Sequence, residues 1–179
     1  MAKLETIAPQ NLRIISYPDP ALRSHCTPVE TFDESLSALA LRMLELMREA
    51  RGVGLAAPQL GVPLRLFVCN PTGQPTDDVV CVNPHLLDLE GAVEAEEGCL
   101  SIPGVQVPMR RAQSARLRFQ DLIGQQRELQ GEGMPARIWQ HENDHLDGKL
   151  IIDSMSAAVE IANRRALKQL RESYKPRRK

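Results

Sequence analysis

The pentapeptide His141-Glu142-Asn143-Asp144-His145 constrains this chain more tightly than any other segment. In a helix, positions i and i+4 stand one above the other on a single face, so both imidazoles reach one metal ion. Glu142 is rotated about 100° from His141. Its longer side chain reaches the ion's open position without being a ligand, where it handles the proton of a metal-bound water. Two of the four histidines in the chain fall in this spacing with a glutamate between them. The expectation is a metal-dependent hydrolase. The plain alternative is a helix that uses two histidines for packing.

A catalytic metal site usually takes three protein ligands. A third histidine at the metzincin spacing is absent, because Ile151 stands there. Glu160 on the following helix is one alternative. The favoured ligand is Cys99, in Glu97-Gly98-Cys99-Leu100-Ser101, a short glycine-containing stretch suited to presenting a side chain from a strand end. Cys69 and Cys81 sit inside apolar runs and read as buried, inert thiols. Cys26 lies in a polar loop without ligand spacing to anything else. A cysteine hydrolase with Cys99 as nucleophile is a rival reading, and metal chelation separates the two.

The apolar periodicity predicts the frame around this helix. Asp33 caps a helix running to about Ala50, with Leu36, Leu39, Ala40, Met43, Leu46, Met47 and Ala50 at helical spacing. Residues 64–69 and 79–83 read as strands, the second closed by Pro84, with a surface loop over 70–78. Residues 110–120 alternate, and 126–129 pair back on them as a hairpin. Helices follow from Met134-Pro135 to about Leu146 and over 154–173. A helix, then strands, then helices argues an α+β fold. Antiparallel or mixed sheets pack around a central metal-binding helix, flanked by an N-terminal and a C-terminal helix. At 179 residues the chain fits one domain over 1–179, with a basic tail at about 174–179.

Charge and composition exclude several classes. With 42% hydrophobic and 25% charged residues the chain is globular, and a net charge of −1 gives no global attraction to DNA or a membrane. No run of about 18 apolar residues exists, and the first twenty residues carry no secretory pattern. The expected compartment is the cytoplasm, where the four cysteines stay reduced. Between Ile161 and Lys179 there are eight Lys or Arg and one acidic residue, Glu172.

Three segments together resemble the peptide deformylase family. They are Gly52-Val53-Gly54-Leu55-Ala56-Ala57-Pro58-Gln59, Glu97-Gly98-Cys99-Leu100-Ser101, and Gln140-His141-Glu142-Asn143-Asp144-His145-Leu146-Asp147-Gly148. Tyr17-Pro18-Asp19-Pro20-Ala21-Leu22-Arg23 is also similar to the family's opening, so the likeness spans roughly residues 14–155. The resemblance implies removal of formyl from the N-terminal formyl-methionine of new polypeptides, with release of formate. It implies Cys99, His141 and His145 as ligands of Fe²⁺, with Zn²⁺, Ni²⁺ or Co²⁺ able to substitute. It also implies Glu142 as general base and acid, with the Gln59 amide and the Leu100 N–H as oxyanion donors. Backbone near Gly54 is implied to pair with the substrate like an added strand. Val53, Met134, Ile138 and His141 are implied to line the methionine pocket. The basic C-terminal segment is a further expectation, as a contact to the ribosome. The alternative function is a zinc peptidase of the same metal-helix type, which needs a different third ligand.

Overall fold

In the computed structural model, residues 8–176 are described. Asp33 opens α1 (Glu34–Glu49) by accepting the Leu36 N–H at 2.9 Å, which satisfies one of the helix's orphan donors. The apolar stripe of α1, including Leu36, Leu39, Met43 and Met47, is buried. It packs on one face of a five-stranded antiparallel sheet ordered β1-β2-β3-β6-β7. The strands are β1 (Gly54–Ala56), β2 (Leu66–Cys69), β3 (Val79–Glu90), β6 (Ser114–Gln120) and β7 (Gln126–Glu132). A separate pair, β4 (Val93–Glu97) and β5 (Val107–Arg111), forms a two-stranded sheet.

Strand β2 shows why its sequence is a continuous apolar run. Successive side chains point to opposite faces, and both faces are covered. Leu66 and Val68 join the α1 side of the core, while Phe67 and Cys69 join the side covered by α2 (Met134–Leu146). Helix α2 packs against β1, β2, β3, β6 and β7, with Ala136, Ile138, Trp139 and Leu146 buried. A third cluster joins Ile102, Val105 and Val107 to α3 (Ala157–Ser173) through Leu167.

The structure redraws several strands. β3 does not close at Pro84 but runs through it to Glu90. The register with β6 shifts between Val82 and His85, and Asn83 there has φ 50°. A proline is tolerated at such a bulge because no ladder bond is asked of it. Asn83 pins the irregularity: its amide bonds the N–H and the carbonyl of Val29, and the side chain of Gln120. The alternating run over 110–120 splits at Ala112 and Gln113, so its first part belongs to β5 and the rest to β6. β4, polar and mostly exposed, carries no apolar signal. Among the described residues no helix is long and apolar enough to cross a membrane. Arg177, Arg178 and Lys179 of the basic tail lie outside the described residues.

Candidate metal centre

The side chains of Cys99, His141 and His145 converge, with their ligand atoms all within 4.8 Å of one another. One helical turn sets the two imidazoles edge to face at a centroid separation of 5.0 Å. Cys99 enters from the segment that follows β4, and its Sγ lies 3.3 Å from His145 Nε2. The His141 Nδ1 is 3.0 Å from Glu97 Oε2, which leaves Nε2 free to coordinate. Thiolate and imidazole suit zinc, iron or cobalt, so the donor chemistry fits the implied ion. Glu160, the alternative third ligand, is exposed on α3 and outside this group.

The other expected residues surround the same space. A cavity of about 370 Å³ is lined by Val53, Gly54, Gln59, Cys99, Leu100, Met134, Ile138, His141 and Glu142, with His145 buried behind it. Glu142 is 4% exposed, and its Oε2 has no hydrogen-bond partner. Burial pushes its carboxyl up to about 7, with Glu97 adding to the rise and His141 and Arg111 opposing it. A Cβ on Gly54 would stand 2.3 Å from Glu142 Oε1, so only glycine lets the strand pass so near the carboxylate. Gln59 is held from both ends. Its Oε1 accepts the Ala56 N–H at 2.8 Å, which turns Nε2 toward Ser101 Oγ at 3.1 Å and Cys99 Sγ at 3.6 Å. Among the described residues the Leu100 N–H makes no hydrogen bond.

One group escapes a reading of the sequence. Glu97 enters that reading only as part of its motif, yet it anchors the site. Arg111 grips it twice, at 3.0 and 2.9 Å, and Arg137 adds a third contact at 2.6 Å. Burial opposes ionisation of Glu97, but the hydrogen bonds from His141 and Arg111 outweigh it and hold the carboxyl down at about 2. Burial likewise opposes charge on His141, but without a metal ion the nearby Cys99 and Glu97 override it and raise the imidazole to about 10. Arg111 ends an alternating strand and is 8% exposed. Nothing in a one-dimensional pattern marks such an arginine as buried. The remaining thiols are passive. Cys69 and Cys81 are buried in the sheet, and burial raises Cys81 well above its ordinary value.

Fold and site together define a metal-dependent hydrolase. The sequence profile of polypeptide deformylase matches residues 11–160. The peptide deformylase of Acidobacterium capsulatum is 44% identical over 146 residues, covering 80% of this chain and 86% of that one. The chloroplastic/mitochondrial peptide deformylase 1B of Arabidopsis thaliana is 39% identical over 91% of this chain, which spans 61% of that relative's length. A crystal structure of a peptide deformylase from Legionella pneumophila superimposes with TM-score 0.85 at 43% identity, covering 92% of this chain and 99% of that one. The chain belongs to the polypeptide deformylase family, enzymes that remove the N-formyl group from nascent polypeptides.

Proposed function

We propose that this chain deformylates N-formylmethionyl polypeptides and releases formate, using Cys99, His141 and His145 to hold Fe²⁺, for which Zn²⁺, Ni²⁺ or Co²⁺ can substitute. The observation that carries the reading is the buried, unpartnered Glu142 carboxylate beside three converging ligand side chains. A divalent ion in this set supplies a Lewis acid and lowers the pKa of a nearby water. Glu142 takes a proton from the attacking water. The water oxygen bonds to the formyl carbon, and charge builds on the formyl oxygen. The Gln59 Nε2–H and the free Leu100 N–H are the donors for that charge. As the C–N bond breaks, Glu142 returns the proton to the leaving amine.

Substrate binding follows from the strand edge. β1 ends the five-stranded sheet, so one side of it is open. Val53 O accepts from Asn70 N at 2.9 Å, so Val53 and Asn70 form a hydrogen-bonded pair; Gly54, opposite Cys69, then sits at the alternate position. The Gly54 N–H and C=O therefore face the open edge, ready to pair with an extended peptide. Val53, Met134, Ile138 and His141 are the proposed walls of the methionine pocket. Purified protein should release formate from formyl-Met-Ala-Ala and leave unformylated Met-Ala-Ala intact. Cleavage of the unformylated peptide would favour a general peptidase instead, and activity that survives chelation would point to Cys99 as nucleophile.

The proposed compartment is a reducing cytosol, in keeping with four free thiols. We also assign the exposed basic residues of α3, Arg164, Arg165, Lys168 and Arg171, to contact with ribosomal RNA near emerging chains. Salt-sensitive co-sedimentation with ribosomes, lost on trimming from Lys168, is the expected result. Salt-insensitive binding would count against it.

A further inference from the structure

Helix α1 ends in a way that sets one side chain apart. The Gly52 N–H bonds Met47 O at 2.8 Å, and the Arg51 N–H bonds Arg48 O at 2.9 Å. This is the paired closure in which the residue just past the helix takes the left-handed conformation, a position where glycine is the common choice. Here it is Arg51, with φ 56°. The chain accepts the steric cost of a side chain at that point. Arg51 lines the cavity that holds Glu142 and is exposed, and its guanidinium makes no hydrogen bond or ion pair among the described residues. The other lining guanidinium, on Arg137, is engaged by Glu97 and by the carbonyls of Met109 and Val93.

The run from Arg51 to Gly54 leads from solvent inward to Glu142. A peptide whose formyl group lies at Glu142 must run outward along the open edge, antiparallel to β1. With its methionine beside Gly54, the following residues pass Val53, Gly52 and Arg51 in turn. We propose that Arg51 is a specificity residue of this site, favouring formyl-methionyl chains that carry an acidic side chain at the second or third residue after the methionine. The inference rests on the deformylase reading and adds a substrate preference to it. Glu96 lines the same cavity, its carboxylate also without a partner among the described residues, and would favour the opposite preference, for a basic side chain.

The test uses the metal-loaded enzyme and C-terminally amidated peptides, because a free terminal carboxylate would itself offer Arg51 an anion. Formyl-Met-Ala-Xaa-Ala-amide and formyl-Met-Ala-Ala-Xaa-amide are compared with Xaa as Glu, Ala or Lys. At one of these positions kcat/KM should favour Glu over Lys by about two- to fivefold, the range of an exposed ion pair. The preference should invert in Arg51→Glu and vanish in Arg51→Gln. It should also collapse at 1 M salt, where screening acts over about 3 Å. The same Glu-to-Lys ratio in wild type and Arg51→Gln would overturn the proposal, as would a wild-type preference for Lys that disappears in Glu96→Gln. Arg51→Gln serves where Arg51→Glu does not fold. If the wild type releases no formate from the all-alanine peptide, the deformylase reading has failed. If it does so without regard to charge, only the role of Arg51 falls.

Discussion

Glu142 and Cys99 stand side by side in the same cavity, yet they are separable by experiment. Glu142 is not one of the three converging ligand side chains, so Glu142→Ala should fold, keep its metal and still bind a formyl-methionyl peptide. Loss of the proton carrier should lower kcat on the order of 10²–10⁴-fold. Cys99→Ala should instead lose metal, measurable by elemental analysis, while Cys69→Ala, deep in the sheet, keeps it. Turnover of Glu142→Ala within about threefold of the parent would refute the proton-transfer role. Full metal occupancy in Cys99→Ala would remove Cys99 from the ligand set.

The elements owe their positions to local rules that extend to their ends. Asp33 caps α1 through the Leu36 N–H, far in sequence from the ligands. Asp33→Ala should cost about 1 kcal/mol in urea unfolding, with formate release per folded molecule unchanged. A cost below about 0.3 kcal/mol would mean that water replaces the cap. At the other end of α1, the closure through Arg51 and Gly52 delivers the chain into β1. The two-stranded sheet does the same for Cys99, because β4 ends at Glu97, two residues before the thiol. These two termini set the cavity walls.

At the scale of the molecule, one ionic cluster joins the two-stranded sheet to α2. Glu97 on β4 and Arg111 on β5 meet Arg137, His141 and Asp144 on the helix, the Arg111–Asp144 contact being 2.5 Å. Because Glu97 is held at about 2 instead of 4.5, the folded state favours its charged form. Its contribution is complete above about pH 4.5 and is lost as pH falls toward about 2. Each tenfold change in proton affinity is worth about 1.4 kcal/mol. The contribution is therefore at most about 3.5 kcal/mol, less what solvent screening removes. Denaturation of metal-free protein between pH 6 and pH 3 should show the wild type losing stability faster than Glu97→Gln. Parallel curves would show that the cluster adds no net stability.

Sequence alone determined the parts governed by short-range rules. Two histidines one turn apart, the Asp33 cap and the stripe on α1 are all local, and three motifs in order marked the family. The strands were legible where an apolar run or alternation reported them, as in β2 and β6. They were illegible where it did not: β4 is polar and exposed, and β3 passes through Pro84 because Asn83 absorbs the break. The motifs already favoured Cys99 among the four cysteines, and the path of β4 is what brings its Sγ within 3.3 Å of His145. Only the tertiary structure decided that Glu97 anchors His141 and that the Arg51 guanidinium reaches the cavity without a partner. Those facts depend on which segments meet in space. Periodicity reports burial along one element, whereas a charge's partner is set by an element elsewhere in the chain.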